Sequence, residues 1–179
     1  MQADPPPPSL GSALARLRVA EARFRVDPSH VAKQAVVDAA VSLLVEGAST
    51  PNIVTLAGED RADAVEVAAY LDASLRELGL APLTRDDAAC LLMEELAVDL
   101  LERRVDAARF ADSVLRIADP RLQSLPSGAA GFALDIQYPV SLSEVYGEPP
   151  DRVYALAEEY LAWRGRPWSG RPAGRAPSG

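Results

Sequence analysis

A single imidazole and a single thiol bound the side-chain chemistry of this 179-residue chain. His30 is the one histidine and Cys90 the one cysteine. Paired-histidine catalysis, a His-rich metal site and an intrachain disulfide are thereby excluded. A lone histidine works as a general base when a carboxylate orients it within hydrogen-bond reach. The carboxylate on its helical stripe is Asp38, two turns on and about 12 Å away along a helix axis. His30 is therefore read as a surface or boundary histidine. Cys90 follows Asp86 and Asp87 by about one turn, and acids there oppose a thiolate. It is read as a small core residue.

Carboxylates at helical spacing are the more suggestive pattern. Glu95, Asp99 and Glu102 share one face of a helix, with Glu94 beside them. A di-iron bundle would need a Glu-x-x-His pair from each of two helices, which this chain lacks. Mg²⁺ would need substrate phosphates as co-ligands, and no Gly-rich phosphate loop is present. No metal and no cofactor is expected. Asp99 can pair with Arg103 four residues on, and Glu102 with nearby arginines. The face reads as solvated, and its functional reading is a partner-binding patch of Glu95, Asp99 and Glu102. The other acidic group, Glu59, Asp60, Asp63 and Glu66, sits where a helix N-terminus favours negative charge.

Near the C-terminus the chain reads Trp163-Arg164-Gly165-Arg166-Pro167-Trp168-Ser169-Gly170-Arg171-Pro172. Arg-Gly-Arg-Pro resembles the core of an AT-hook, which implies an extended strand in an A·T minor groove. The resemblance covers four residues and lacks the flanking basic cluster. Trp168, an aromatic between arginines, can instead dock on another protein or on the chain's own body. It joins the partner-binding candidates.

Charge points the same way. The net charge is −8. Residues 1–27 carry +1 and residues 164–179 carry +4, which leaves −13 for residues 28–163. Such a body repels nucleic acid and anionic membranes and attracts basic partners. A +4 tail releases few counterions, so nucleic acid is not the expected partner. Lys33 is the one lysine among 18 basic residues, a bias that a GC-rich bacterial genome produces. No apolar run reaches a membrane span, and Met1 to Pro8 does not read as a secretory signal. The cytoplasm is the expected location.

The elements that must position these residues are mostly helices. Pro5 to Pro8 place residues 1–9 in a disordered, Pro-rich lead. Residues 10–26 begin as a helix and are expected to run extended near Phe24–Val26. Asp27 and Pro28 then start a helix whose polar stripe is His30, Gln34, Asp38, Ser42 and Glu46. The remainder of that helix is apolar, so it is expected at the centre of the fold, stopped by Gly47. A short turn holds Ile53 and Leu56. Asp60 is expected to cap a helix with Val65, Ala68, Leu71, Leu75 and Leu78 inward. Thr84 to Asp87 resembles a capping box for the next helix, with Leu91, Leu92, Leu96, Leu100 and Leu101 as its apolar positions. Asp106 caps another, carrying Phe110, Val114 and Ile117.

Residues 119–131 read as loop. From Phe132 to Tyr138 apolar and polar residues alternate, the best strand pattern in the chain. Its simplest partner is the stretch near Phe24–Val26, or the same strand of a second subunit, which would make a homo-oligomer. Pro149-Pro150 open the last helix, with Val153, Leu156, Ala157, Tyr160 and Leu161 on one face. The tail from 164 reads as disordered. The expected architecture is mainly α: a compact bundle of five or six helices with short helical turns and a minor β element near 132–138. A single helical domain over 10–163 is expected.

Three functions follow from this reading. The first is a small acidic protein-binding or adaptor protein without catalysis; an inhibitor or immunity-type partner of a basic protein is one concrete form. The second is an enzyme with a carboxylate and tyrosine pocket, using residues such as Tyr70, Arg121, Asp135, Tyr138 and Tyr146. The third is a weak DNA-associated regulator acting through the Arg-rich tail.

Overall fold

The computed structural model describes residues 10–59, 63–117 and 151–163. Among them the chain forms seven helices and no strand, so the architecture is mainly α. They are α1 (Leu10–Val26), α2 (His30–Val45), α3 (Pro51–Gly58), α4 (Ala64–Glu77), α5 (Arg85–Leu101), α6 (Ala107–Ile117) and α7 (Asp151–Trp163). The short turn around Ile53 and Leu56 is α3. The β element near 132–138, the 1–9 lead and the 164–179 tail lie outside the described residues. The contacts divide the chain into two compact units at Ala88, within α5.

In the first unit α1, α2, α3 and α4 pack in sequence, and α2 also meets α4. Three neighbours make α2 the central helix of this unit, although Val31, Val41 and Val45 on its outer face are exposed. Leu17, Leu43, Ile53, Leu56, Leu71 and Leu75 are fully buried in this core. Each such side chain contributes roughly 1.5–3 kcal/mol by leaving water. In the second unit α5, α6 and α7 enclose Met93, Leu100, Phe110, Val114, Leu156 and Tyr160.

Several boundaries differ from expectation, each for a local reason. Phe24–Val26 is not extended; α1 continues through Val26. Ala13, Leu17, Ala20 and Phe24 recur at three and four residues, and all are buried on one stripe. This removes the stretch as a strand partner for residues 132–138. The cap of α2 is Ser29, not Asp27: the Ser29 hydroxyl oxygen accepts the Ala32 N–H at 3.3 Å. Pro28 precedes that cap. The cap of α4 is Asp63, not Asp60, which lies outside the described residues. Asp63 accepts the N–H groups of Val65 and Glu66, and Glu66 accepts the Asp63 N–H in return. This reciprocal box satisfies donors that a cap at Asp60 would leave open. Starting at Ala64 also turns Val65 outward, where it is 77% exposed, and buries Val67 instead. The Thr84 and Asp106 caps agree with the sequence expectation, and Thr50 caps α3 by accepting the Ile53 N–H.

Three helices end in the same bonding pattern. At α2, Ala48 N–H reaches Leu43 O and Gly47 N–H reaches Leu44 O. At α4, Leu80 N–H reaches Leu75 O and Gly79 N–H reaches Arg76 O. Both are Schellman endings with glycine in the left-handed region, at φ 87° and 71°. At α5, Arg104 N–H reaches Asp99 O and Arg103 N–H reaches Leu100 O. In this third ending the left-handed residue is Arg103, at φ 59°.

Candidate functional site

The acidic face of α5 is partly neutralised by that left-handed ending. Asp99 does not pair with Arg103. Reversal of the backbone at Arg103 brings Arg104 back over the helix, where its Nε donates to Asp99 at 2.7 Å. Its Nη1 lies 2.7 Å from the Glu102 carboxylate. Glu95 and Glu102 are exposed, and Asp99 is half-buried. Glu95, with no ion pair among the described residues, is the carboxylate of the three that remains most open to a partner. Trp168 lies outside the described residues.

Arg103 itself lines an open groove in the second unit. The groove has a volume of about 430 Å³ and is walled by Arg103, Asp151, Tyr154, Ala155 and Glu158. Two carboxylates, a phenol and a guanidinium thus line one groove, the guanidinium on a residue with a left-handed backbone. A non-glycine residue there costs about 1–2 kcal/mol. The sequence reading missed this cluster, because nothing in a Leu-Glu-Arg-Arg string announces a helix ending without glycine.

The first unit holds a second charged cluster that the sequence did not reveal. Glu21 is fully buried. Its carboxylate lies 2.7 Å from Arg18 Nη1 and 3.5 Å from Arg25 Nη2, and accepts the backbone N–H of Leu83 at 2.7 Å. Arg18 also donates to Ala81 O at 2.8 Å, Arg85 to Val26 O at 3.4 Å, and Arg25 pairs with Asp72 on α4. The cluster ties the α4–α5 connector to α1. Arg25 Nε and Ser74 Oγ are buried without a hydrogen-bond partner among the described residues. Among the described residues, the bonds of Glu21, Arg18, Arg25 and Arg85 close within the first unit and hold α1 to α4 and to the connector after it.

The remaining sequence candidates fall into place as packing or surface. His30 is exposed, and Asp38 accepts from Gln34 Nε2 at 2.9 Å rather than from an imidazole. Cys90 packs at the edge of the second core, and its carbonyl accepts the Tyr160 hydroxyl at 3.3 Å. Tyr70 packs against the first core. Arg121, Asp135, Tyr138 and Tyr146 lie outside the described residues. Among the described residues no group of three His, Cys, Asp or Glu side chains is placed to hold a metal ion. No helix among them is long and apolar enough to cross a membrane.

Comparison with protein-family models, with curated proteins and with solved structures returns no match for this chain.

Proposed function

We propose that this chain is a small acidic helical binding protein, an adaptor or inhibitor whose partner is a basic protein. The observation that carries the reading is the charge: −8 net, with −13 concentrated between residues 28 and 163. Opposite charge on a partner accelerates encounter and suppresses wrong partners. Glu95 supplies an exposed carboxylate on α5, which suits a docking surface better than a loop would, and Glu102 supplies another in the turn just beyond the last helical residue, Leu101. The test is capture of partners on the immobilised full chain at low and high salt, with and without nuclease. One stoichiometric basic protein, released by salt and weakened by E95Q/D99N/E102Q, is the expected result. Since Arg104 already compensates Asp99 and Glu102, E95Q alone should account for most of the loss. Nuclease-sensitive material, or capture indifferent to salt, would overturn the electrostatic reading.

A second reading rests on the Arg103 groove. An arginine, a phenol and two carboxylates around one hollow could hold a small polar substrate and move a proton. Saturable binding of a small molecule lost in Y154F and R103K would favour an enzyme over an adaptor.

A further inference from the structure

The outer face of α2 has a pattern that packing within the first unit does not use. Its inner face, Ala32, Val36, Ala39, Ala40 and Leu43, belongs to the core. On the outside, Val31 is 78% exposed, Val41 43% and Val45 80%. These three are half of the six large apolar side chains exposed among the described residues. Valine is a mediocre helix former, so local propensity does not favour it there. With Gln34 and Asp38 the valines form the series 31, 34, 38, 41, 45. The steps are three, four, three and four, the spacing of the a and d positions of a coiled coil. The seam runs nearly the full length of α2, about 21 Å by the helical rise. At its midpoint Asp38 accepts a bond from Gln34 and forms no ion pair among the described residues.

We propose that this seam is a docking surface for one helix of a partner protein, apolar at heptad spacing and bearing an Arg or Lys opposite Asp38. The inference rests on the binding-protein reading and names its surface. Charge selects the occupant. A second copy of the chain is disfavoured because Asp38 sits in the middle of the seam. A parallel pair in register sets Asp38 against its own counterpart, and an antiparallel pair, whose layers set a against d, buries it against Gln34 or Val41 with no cation. Like charges facing each other, or a desolvated carboxylate without a cation, oppose association. A cation at that position removes the conflict, and a single polar pair at an a position also fixes register.

The test uses a labelled helical peptide of about three heptads. Its a and d positions are shared between Leu and Ala, with one Arg at the central a position. A twin peptide carries Glu there. Both are titrated at peptide concentrations where they are monomeric, against the full chain and three variants. V31A/V45A removes methyl groups at exposed sites and raises helix propensity, so α2 should persist by circular dichroism. The full chain should bind the Arg peptide at least about tenfold tighter than the Glu peptide. V31A/V45A should weaken binding roughly a hundredfold, in line with four buried methyl groups lost from the seam. D38N should abolish the discrimination between the two peptides. Binding unaffected by V31A/V45A but lost in E95Q/D99N/E102Q would overturn the seam while leaving the acidic-adaptor reading standing. Sedimentation that shows the full chain self-associating, and V31A/V45A monomeric, would also overturn it, since the seam would then pair two copies.

Discussion

Glu21 accepts the backbone N–H of Leu83 at 2.7 Å across 62 residues of sequence. The bond joins the middle of α1 to the connector between α4 and α5. It is made by a carboxylate with no exposure to water, held between Arg18 and Arg25. Removing Glu21 leaves the Leu83 N–H without its acceptor while Arg25 keeps Asp72 and Arg18 keeps the Ala81 carbonyl, at a cost of about 1–3 kcal/mol. E21A should lower stability by that order in urea unfolding. E21Q keeps the amide oxygen for Leu83 but gives up the charge, and should fall between the unaltered chain and E21A. The Leu83 amide should lose hydrogen-exchange protection in both variants before the core of α2 does.

Arg103 ends its helix with a side chain where α2 and α4 use glycine. Its φ of 59° carries a steric cost that Gly47 and Gly79 do not have. R103G should therefore stabilise the chain by roughly 0.5–1 kcal/mol, the gain from relieving the left-handed position less the unfolded-state entropy of glycine. R103V, with a branched Cβ, should destabilise it. If R103G stabilises and also removes ligand binding in the groove, the strain is tied to that site. A destabilised R103G would mean that the guanidinium is needed for packing.

Ser74 gives a prediction of opposite sign to most core mutations. Its residue surface is fully buried and its hydroxyl has no hydrogen-bond partner among the described residues. An unsatisfied buried hydroxyl costs about 1–3 kcal/mol, and alanine is the better helix former. S74A should raise the urea midpoint without changing the slope. A loss of stability would show that the hydroxyl is satisfied in solution.

Much of this fold is legible from spacing and caps, and the failures are local. Thr50-Pro51, Thr84 and Asp106 announce their helices because short polar side chains satisfy first-turn N–H groups. Gly47 and Gly79 announce endings because only glycine reaches positive φ without strain. Phe24–Val26 misleads because Arg23 and Arg25 alternate with apolar residues in a strand-like way. The deciding contact, Arg25 with Asp72, lies 47 residues away. Glu21 is invisible for the same reason: a glutamate in an arginine-rich helix looks solvated until the connector closes over it. The outer seam of α2 is hidden by composition. Valines on both faces read as uniform burial, and only the packing separates Val36 and Val37 from Val31 and Val45. The α5 ladder is visible in the spacing, but its pairing with Arg104 depends on a backbone reversal at a residue that gives no sign of it.

Glu77 holds the start of α3 from the end of α4. Its carboxylate accepts from the Asn52 side-chain amide at 2.6 Å and from the Asn52 backbone N–H at 3.2 Å. The Thr50 hydroxyl, followed by these Asn52 bonds, holds its pKa below the usual glutamate value against an opposing effect of burial. A depressed carboxylate contributes stability above its unfolded pKa, near 4.3, and loses it as pH falls through the folded value. The Asn52 amide resonance should therefore shift with a midpoint below that of an unperturbed glutamate. In E77Q this acid transition at Asn52 should vanish while α2 resonances stay unchanged.

Tyr160 should behave in the opposite direction at high pH. Its ring is buried in the second core, and its hydroxyl donates to the Cys90 carbonyl. Burial first, then the surroundings of Cys90 and Glu94, raise its pKa far above the ordinary phenol value of about 10. The neutral phenol is thus favoured by folding. Its contribution is fully present below the unfolded pKa and is lost as pH climbs above about 10 toward the folded value. The chain has five tyrosines. An absorbance titration compared with that of Y160F should assign to Tyr160 a phenol that fails to ionise until near-ultraviolet circular dichroism reports loss of the second core. In Y160F that delayed step should disappear, and the alkaline unfolding of the second core should move upward in pH. A Tyr160 that ionises before the core is lost would show that water reaches the ring in the folded chain.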